Sequence, residues 1–271
     1  MKQPRWTAHG LRALAAALLI AGSAAAQPDA AAQADAAWQA HDYATARPLY
    51  AALAADPANH VAQYRYSVIL DAGYGARRDP EAAMRYRRQA AEGGNADAQT
   101  NLGYMLSWGD GAPKDLPAGI GWLEKAVAQG SVGATYTLAV ARRVFLNDPA
   151  GAFPLMLKAA EAGDADAISD IAILYRDGVG TAKDPAAYVR WLKRGAARDS
   201  SGRRALIAQA YANGEGVPRD MMKAYAWVLM AEDRVSSEGR NLVTAQTTPD
   251  QKVAAKAFAD RCIASNYVDC D

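Results

Sequence analysis

Four kinds of residue in this chain could in principle do chemistry: two cysteines, three histidines, recurring aspartates, and glycine pairs spaced G-x-G. Cys262 and Cys270 lie eight apart near the C-terminus. In an oxidising compartment such a pair can close a disulfide and tack a tail to the last helix. Two cysteines are too few for a disulfide scaffold or a cysteine-only metal site. Past residue 26 the only histidines are His41 and His60, both near expected bends and read as solvated loop residues. The G-x-G pairs are Gly73/Gly75, Gly109/Gly111, Gly178/Gly180 and Gly214/Gly216. A phosphate loop would follow a strand, whereas these pairs fall between helical stretches and read as turns. The chain has no G-x-S-x-G, no H-E-x-x-H and no P-loop lysine. No catalytic residue, metal site or cofactor is therefore expected.

Composition narrows the partner. The 271 residues are 51% hydrophobic and 22% charged, with a formal net charge of +1. There is no cationic excess to neutralise a phosphate backbone, which argues against nucleic acid. Alanine dominates, and alanine loses no side-chain entropy in a helix, so helices are expected throughout. Residues 1–26 read as a secretory signal peptide. Lys2, Arg5 and Arg12 form a basic start, Ala13 to Ala21 a short apolar run, and Ala24-Ala25-Ala26 a small-residue cleavage site. The run is well short of the ~20 residues that span a membrane, so no membrane span is expected. Cleavage after Ala26 would leave 27 basic and 29 acidic residues, a charge of −2, in a periplasmic or secreted protein.

The aspartates and glycines belong to a repeat. Aligned on Ala62, Ala98, Ala134, Ala167 and Arg203, the chain recurs at spacings of 36, 36, 33 and 36 residues. Each copy opens with a helix-like stretch carrying apolar residues four, seven and eight past the anchor, such as Leu102, Met105 and Leu106. Glycine ends that helix, because the turn needs positive φ. An aspartate (Asp79, Asp115, Asp148, Asp184 or Asp220) then caps a second helix. Seven residues later comes a large side chain (Tyr86, Trp122, Leu155, Trp191, Trp227), and four further a small one (Ala90, Ala126, Ala159, Gly195, Ala231). The large residues, Trp122 and Trp191 in particular, are expected as buried pegs. Such a helix–turn–helix buries its face only by stacking on its neighbours. The copy between Ala134 and Asp148 lacks the glycines and is three residues short. There Arg142 takes a position that elsewhere reads as core.

These readings give a domain order. Residues 1–26 are the signal peptide and 27–58 an opening helix pair, at about 30–41 and 44–56. The repeats fill 59–233. Residues 234–271 hold an irregular loop to about 247, then a capped helix from Thr248-Pro249-Asp250-Gln251 to about Ala264, with its disulfide.

The text of the repeat, as in DAISDIAILYRDGVGTAKDPAAYVRWLKRGAA, resembles the Sel-one-like repeat, a relative of the tetratricopeptide repeat. The likeness covers roughly residues 60–232. It implies an all-α fold, a right-handed superhelical solenoid, and a role as adaptor, regulator or inhibitor, often in the bacterial envelope. In that architecture the first helices line the concave surface. Positions two, six, and nine to ten past each anchor then face the groove: Tyr64, Val68, Thr100, Tyr104, Trp108, Tyr136, Val140, Arg143, Ser169, Ile173, Arg176 and Asp177. Six of these, Tyr64, Tyr104, Trp108, Tyr136, Arg143 and Arg176, are of types enriched at binding hot spots. They would form an aromatic floor with a cationic edge, suited to an acidic, partly apolar protein segment. Packing between adjacent helices is the competing reading of each. The expected function is an exported protein-binding module, an inhibitor or immunity protein or an envelope adaptor, whose partner is an exported enzyme, toxin or envelope component. The alternative is a cell-wall or envelope hydrolase, although this chain lacks the many cysteines of the members proposed to be hydrolases.

Overall fold

The computed structural model describes residues 27–197, 201–231 and 235–270; the expected signal peptide lies outside them. Fourteen helices and no strand are found among the described residues. They fall into two compact units, divided between residues 102 and 103.

The first unit holds α1 (Gln27–Gln39), α2 (Tyr43–Ala54), α3 (His60–Ala72), α4 (Pro80–Glu92) and the start of α5 (Ala96–Trp108). The opening pair begins and ends within three residues of the sequence expectation. Asp42 caps α2 by accepting from the Thr45 N–H at 3.2 Å. Tyr43 stacks on Tyr74 at 4.0 Å between centroids, with Trp38 edge-on to both, so aromatic rings tie the pair to the turn after α3. Arg87 is buried and meets Asp71 at 3.0 Å.

The second unit continues with α6 (Leu116–Ala128), α7 (Val132–Phe145), α8 (Pro149–Glu161), α9 (Ala165–Asp177), α10 (Pro185–Gly195), α11 (Ser201–Asn213), α12 (Met221–Met230), α13 (Ser237–Gln246) and α14 (Pro249–Ala264). Each capping role assigned to an aspartate is present. Asp79, Asp115, Asp148, Asp184 and Asp220 accept from the backbone N–H three residues on, at 2.8–3.1 Å. All five small residues expected in the second helices are buried.

At three of the four pairs the second glycine of the G-x-G has a reason beyond its φ of +73°. A Cβ on Gly180 would lie 2.1 Å from the Pro149 carbonyl oxygen, and one on Gly216 2.1 Å from that of Pro185. On Gly75 it would lie 2.6 Å from the carbonyl oxygen of Tyr43. In each case the turn presses on the first residue of the preceding second helix, an approach that only glycine permits. The short repeat turns differently: Asn147 supplies the positive φ of +49°, and the Asp148 N–H closes on the Arg142 carbonyl at 3.1 Å.

Two expectations fail. Trp191 and Trp227 are buried, but Trp122 is only half-buried with Lys125 Nζ 4.0 Å over its ring. The next residue, Leu123, fills the core in its place. The stretch expected as a loop contains a helix, α13, capped by Ser236 and anchored by buried Val243. The final helix starts with the expected capping box, Thr248 and Gln251 each bonding the other's backbone, and Cys262 and Cys270 form a disulfide.

Candidate functional site

The six candidate residues are divided between the two units. Tyr64, in the first unit, is half-buried on α3. Burial, with Asp97 nearby, pushes its hydroxyl pKa up, so it stays neutral. The other five lie in the second unit, on the C-terminal half of α5 and on α7 and α9.

Tyr104 and Trp108, one turn apart on α5, stack at 4.7 Å. Trp108 meets the ring of Phe145 edge-on at 5.1 Å and packs against the cluster of Leu123, Ala126 and Leu138. Lys114 Nζ sits 3.9 Å over Phe145. Trp108 is thus largely a core side chain, whereas Tyr104 is 38% exposed.

Tyr136 and Arg143 are two turns apart on α7, and both point to Asp170 on α9. The Tyr136 hydroxyl is 3.4 Å from Asp170 Oδ2, and Arg143 Nη2 is 3.8 Å from the same oxygen. The Tyr136 pKa is pushed up to about 12, chiefly by burial and then by the charges of Asp170, Asp166 and Asp164. Burial also raises the Asp170 carboxyl, more than Arg143 and Tyr136 lower it. Arg143 Nε is buried and makes no hydrogen bond. Val140 lies half-buried between Tyr136 and Arg143 on α7, and Ile173, 43% exposed, follows Asp170 on α9. Arg176 is engaged elsewhere, gripping Asp177 in a two-pronged pair at 2.8 and 3.0 Å. Ser169 accepts from Arg203.

Asp170 is the residue that the sequence reading missed. It lies three past the anchor, and its only sequence signal is a short polar side chain among other acids. His60, expected in solvent, instead opens α3 half-buried, with Nδ1 3.2 Å from Gln63 Oε1. His41 is exposed as expected. A cavity of about 730 Å³ opens between α11 and α13, lined by Leu206, Gln209, Ala212, Val228, Leu242 and Val243, and none of the six candidates lines it. Among the described residues no group of histidine, cysteine or carboxylate side chains is placed to hold a metal ion. No described helix is long and apolar enough to cross a membrane.

Comparison with known proteins fits this architecture. A protective antigen present in uropathogenic Escherichia coli strains, displaying an SLR fold, superposes with a TM-score of 0.70 at 27% identity over 89% of this chain. The match takes in 54% of the antigen, so this chain spans about half its length. A Sel1 repeat protein from Oxalobacter formigenes superposes with a TM-score of 0.65 at 24% identity, covering 85% of this chain and 99% of that one. No curated protein matches the chain in sequence. Residues 60–95, 96–131, 146–164, 165–200 and 205–234 match the Sel1 repeat, skipping the whole of α7, where the short repeat departs. With more than half of its length matched, the chain belongs to the Sel1 repeat family, whose members generally mediate protein–protein interaction.

Proposed function

We propose that this is an exported protein-binding module whose partner docks on the first-helix face of the second unit. The observation that carries this reading is the half-buried triangle of Tyr136, Arg143 and Asp170, with partly exposed Ile173 one turn on along α9 and partly exposed Tyr104 on α5. Both contacts to Asp170 are long, and 37% of the Arg143 side chain is exposed. The guanidinium therefore keeps donor capacity for a partner's carboxylate, while the neighbouring apolar groups supply desolvated contact. Helices fix all of these groups in advance, so little ordering is lost on binding. The favoured partner segment is acidic and partly apolar, on an exported enzyme, toxin or envelope component. The module would act there as inhibitor, immunity protein or envelope adaptor. Tyr64 belongs to the first unit and would contribute separately. Arg176, already neutralised by Asp177, adds little.

The test is the triple variant Tyr104→Ala, Tyr136→Ala, Arg143→Ala against wild type, each immobilised and exposed to envelope extract. The reading requires a protein that wild type captures and the variant binds at least tenfold more weakly, about 1.4 kcal/mol, with the helical melt little changed. Equal capture would place the partner on another surface. Unfolding of the variant would assign these residues to the core.

One observation favours the hydrolase alternative: Asp170 is a carboxyl held above its usual range by burial, the property of a general acid. Against it, the residue is already committed to Arg143 and Tyr136, and it does not line the cavity between α11 and α13. Loss of cell-wall hydrolysis in Asp170→Asn, with the fold retained, would support that alternative.

A further inference from the structure

Helix α14 carries the register of a first helix. With its anchor at Ala255, 52 residues after Arg203 and so one repeat plus sixteen, Ala255, Ala259 and Cys262 take the offsets of Ala98, Leu102 and Met105. All six are buried. The helix ends with a backbone bond that closes first and second helices alike, the second helices through Asn95 to Ala90, Ser131 to Ala126 and Asp164 to Ala159. The Tyr267 N–H donates to the Cys262 carbonyl at 2.8 Å. At the same offsets Tyr74 donates to Ile69, Asp110 to Met105, Val179 to Leu174 and Glu215 to Ala210, at 2.9–3.1 Å. Asn266, with φ +52°, stands in the left-handed position that Gly73 and Gly178 fill. Asparagine is among the few other residues that tolerate it. The sixteen extra residues accommodate α13.

Beyond α14 the pattern changes. In the regular repeats a second helix covers the position eight past the anchor: Leu70, Leu106 and Tyr211 are 3%, 9% and 4% exposed, and Tyr175 is half-buried. Ile263 at that position is 52% exposed. Here the chain turns back instead, and Cys270 is buried against Cys262, their Cα atoms 5.0 Å apart. The tail places Tyr267 over Trp227 at 6.3 Å, with the Arg204 guanidinium 4.5 Å from the Tyr267 ring. Beside it lies a hollow of about 370 Å³ lined by Lys193, Arg194 and Ala197.

We infer that α14 and its tail form the first half of a further repeat, in which the Cys262–Cys270 disulfide stands in for the second helix and seals the core end on reduction-sensitive terms. A dithiol reductant opens the seal. One of its thiolates attacks a cystine sulfur and forms a mixed disulfide, and its second thiol then displaces the protein cysteine. Two protein thiols and one reductant disulfide result. The tail loses its tether, and Tyr267 leaves Trp227.

Hydrogen–deuterium exchange of the full chain, resolved by peptide, tests this in three forms: oxidised, reduced with dithiothreitol, and Cys270→Ser. Expected is at least tenfold faster exchange in 221–231 and 249–264 for both opened forms, with 60–197 unchanged. Unchanged exchange in 221–231 would reduce the disulfide to a tail ornament, and a uniform rise along the chain would refute an end seal. The repeat register is tested in oxidised protein by Ile263→Ser against Leu106→Ser. The first should leave the melt unchanged and the second lower it sharply; equal losses would overturn the register.

Discussion

Arg142 Nη1 lies 3.5 Å from Oδ2 of Asp148, the aspartate that caps the next helix. Its other terminal nitrogen is 3.6 Å from Glu124. Arg142 occupies the position eight past the anchor, where Leu70 and Leu106 are buried. Losing three residues from the turn brings the cap close to the end of α7, and a third of the arginine side chain remains in water, 33% exposed. Solvated ion pairs contribute about 0–1 kcal/mol. Arg142→Leu should therefore shift urea-unfolding stability by no more than about 1 kcal/mol, whereas Asp148→Ala should cost about 1 kcal/mol through the lost cap. A loss well beyond that from Arg142→Leu would show that the pair is effectively buried.

The tryptophans of the second helices are unequal. Trp227→Ala removes a fully buried ring and should cost about 3–5 kcal/mol. Trp122→Ala takes away a half-buried ring capped by Lys125 and should cost less than half as much, while Leu123→Ala should cost about 2–5 kcal/mol. Chemical denaturation of the three variants checks the order. Equal losses at residues 122 and 227 would contradict the difference in burial between the two rings.

Glycine substitutions should split by position. Gly180→Ala and Gly216→Ala each combine a left-handed φ with a carbonyl in the way, and should each lose about 1–3 kcal/mol. Gly121→Ala lies within α6, where a Cβ meets nothing within 4 Å. It should gain about 0.5–1 kcal/mol. Thermal melts of the three variants decide the matter, and a stabilised Gly216→Ala would be the damaging result.

Asp170 predicts a pH dependence. Its carboxyl titrates above the ordinary range in the folded chain, so the folded state holds that proton more tightly than the unfolded one. The ionised form therefore costs stability at neutral pH, and the cost disappears below the unfolded value of about 4. Asp170→Asn should melt higher than wild type at pH 7, and the gap should close as pH falls below about 4. A gap that ignores pH, or a variant less stable at pH 7, would count against burial as the dominant influence.

Export is checked by intact mass. Envelope protein should begin at Gln27, without residues 1–26. Recovery of Met1 on the functional protein would end the proposal of a cleaved leader.

The repeat was legible because its parts are local. A capping aspartate acts on an N–H three residues away, and a turn glycine on its own φ. What escaped depends on distance or on small angles. Asp170 looks like one more solvated acid until Tyr136, 34 residues earlier, is brought to it by the stacking of α7 on α9. Trp122 and Leu123 are neighbours, and the rotation of α6 decides which of them enters the core. Helix α13 is short and polar, with Val243 alone buried along it, so periodicity barely marks it. The half-repeat in α14 is masked by sixteen inserted residues and by asparagine standing where glycine ends α3, α5, α9 and α11.

The glycine that lets a turn press on the preceding helix is also a ruler. The large side chain of the second helix changes from tyrosine to tryptophan along this one chain, yet the second turn glycine meets backbone at 75, 180 and 216 alike. Where backbone meets backbone, the pitch from one repeat to the next does not depend on which side chain fills the core. The repeat at residues 134–148 has no such ruler. Its pitch is left to Arg142, Asn147 and whatever rests on them, so the geometry of this one step can be retuned by side-chain substitution alone.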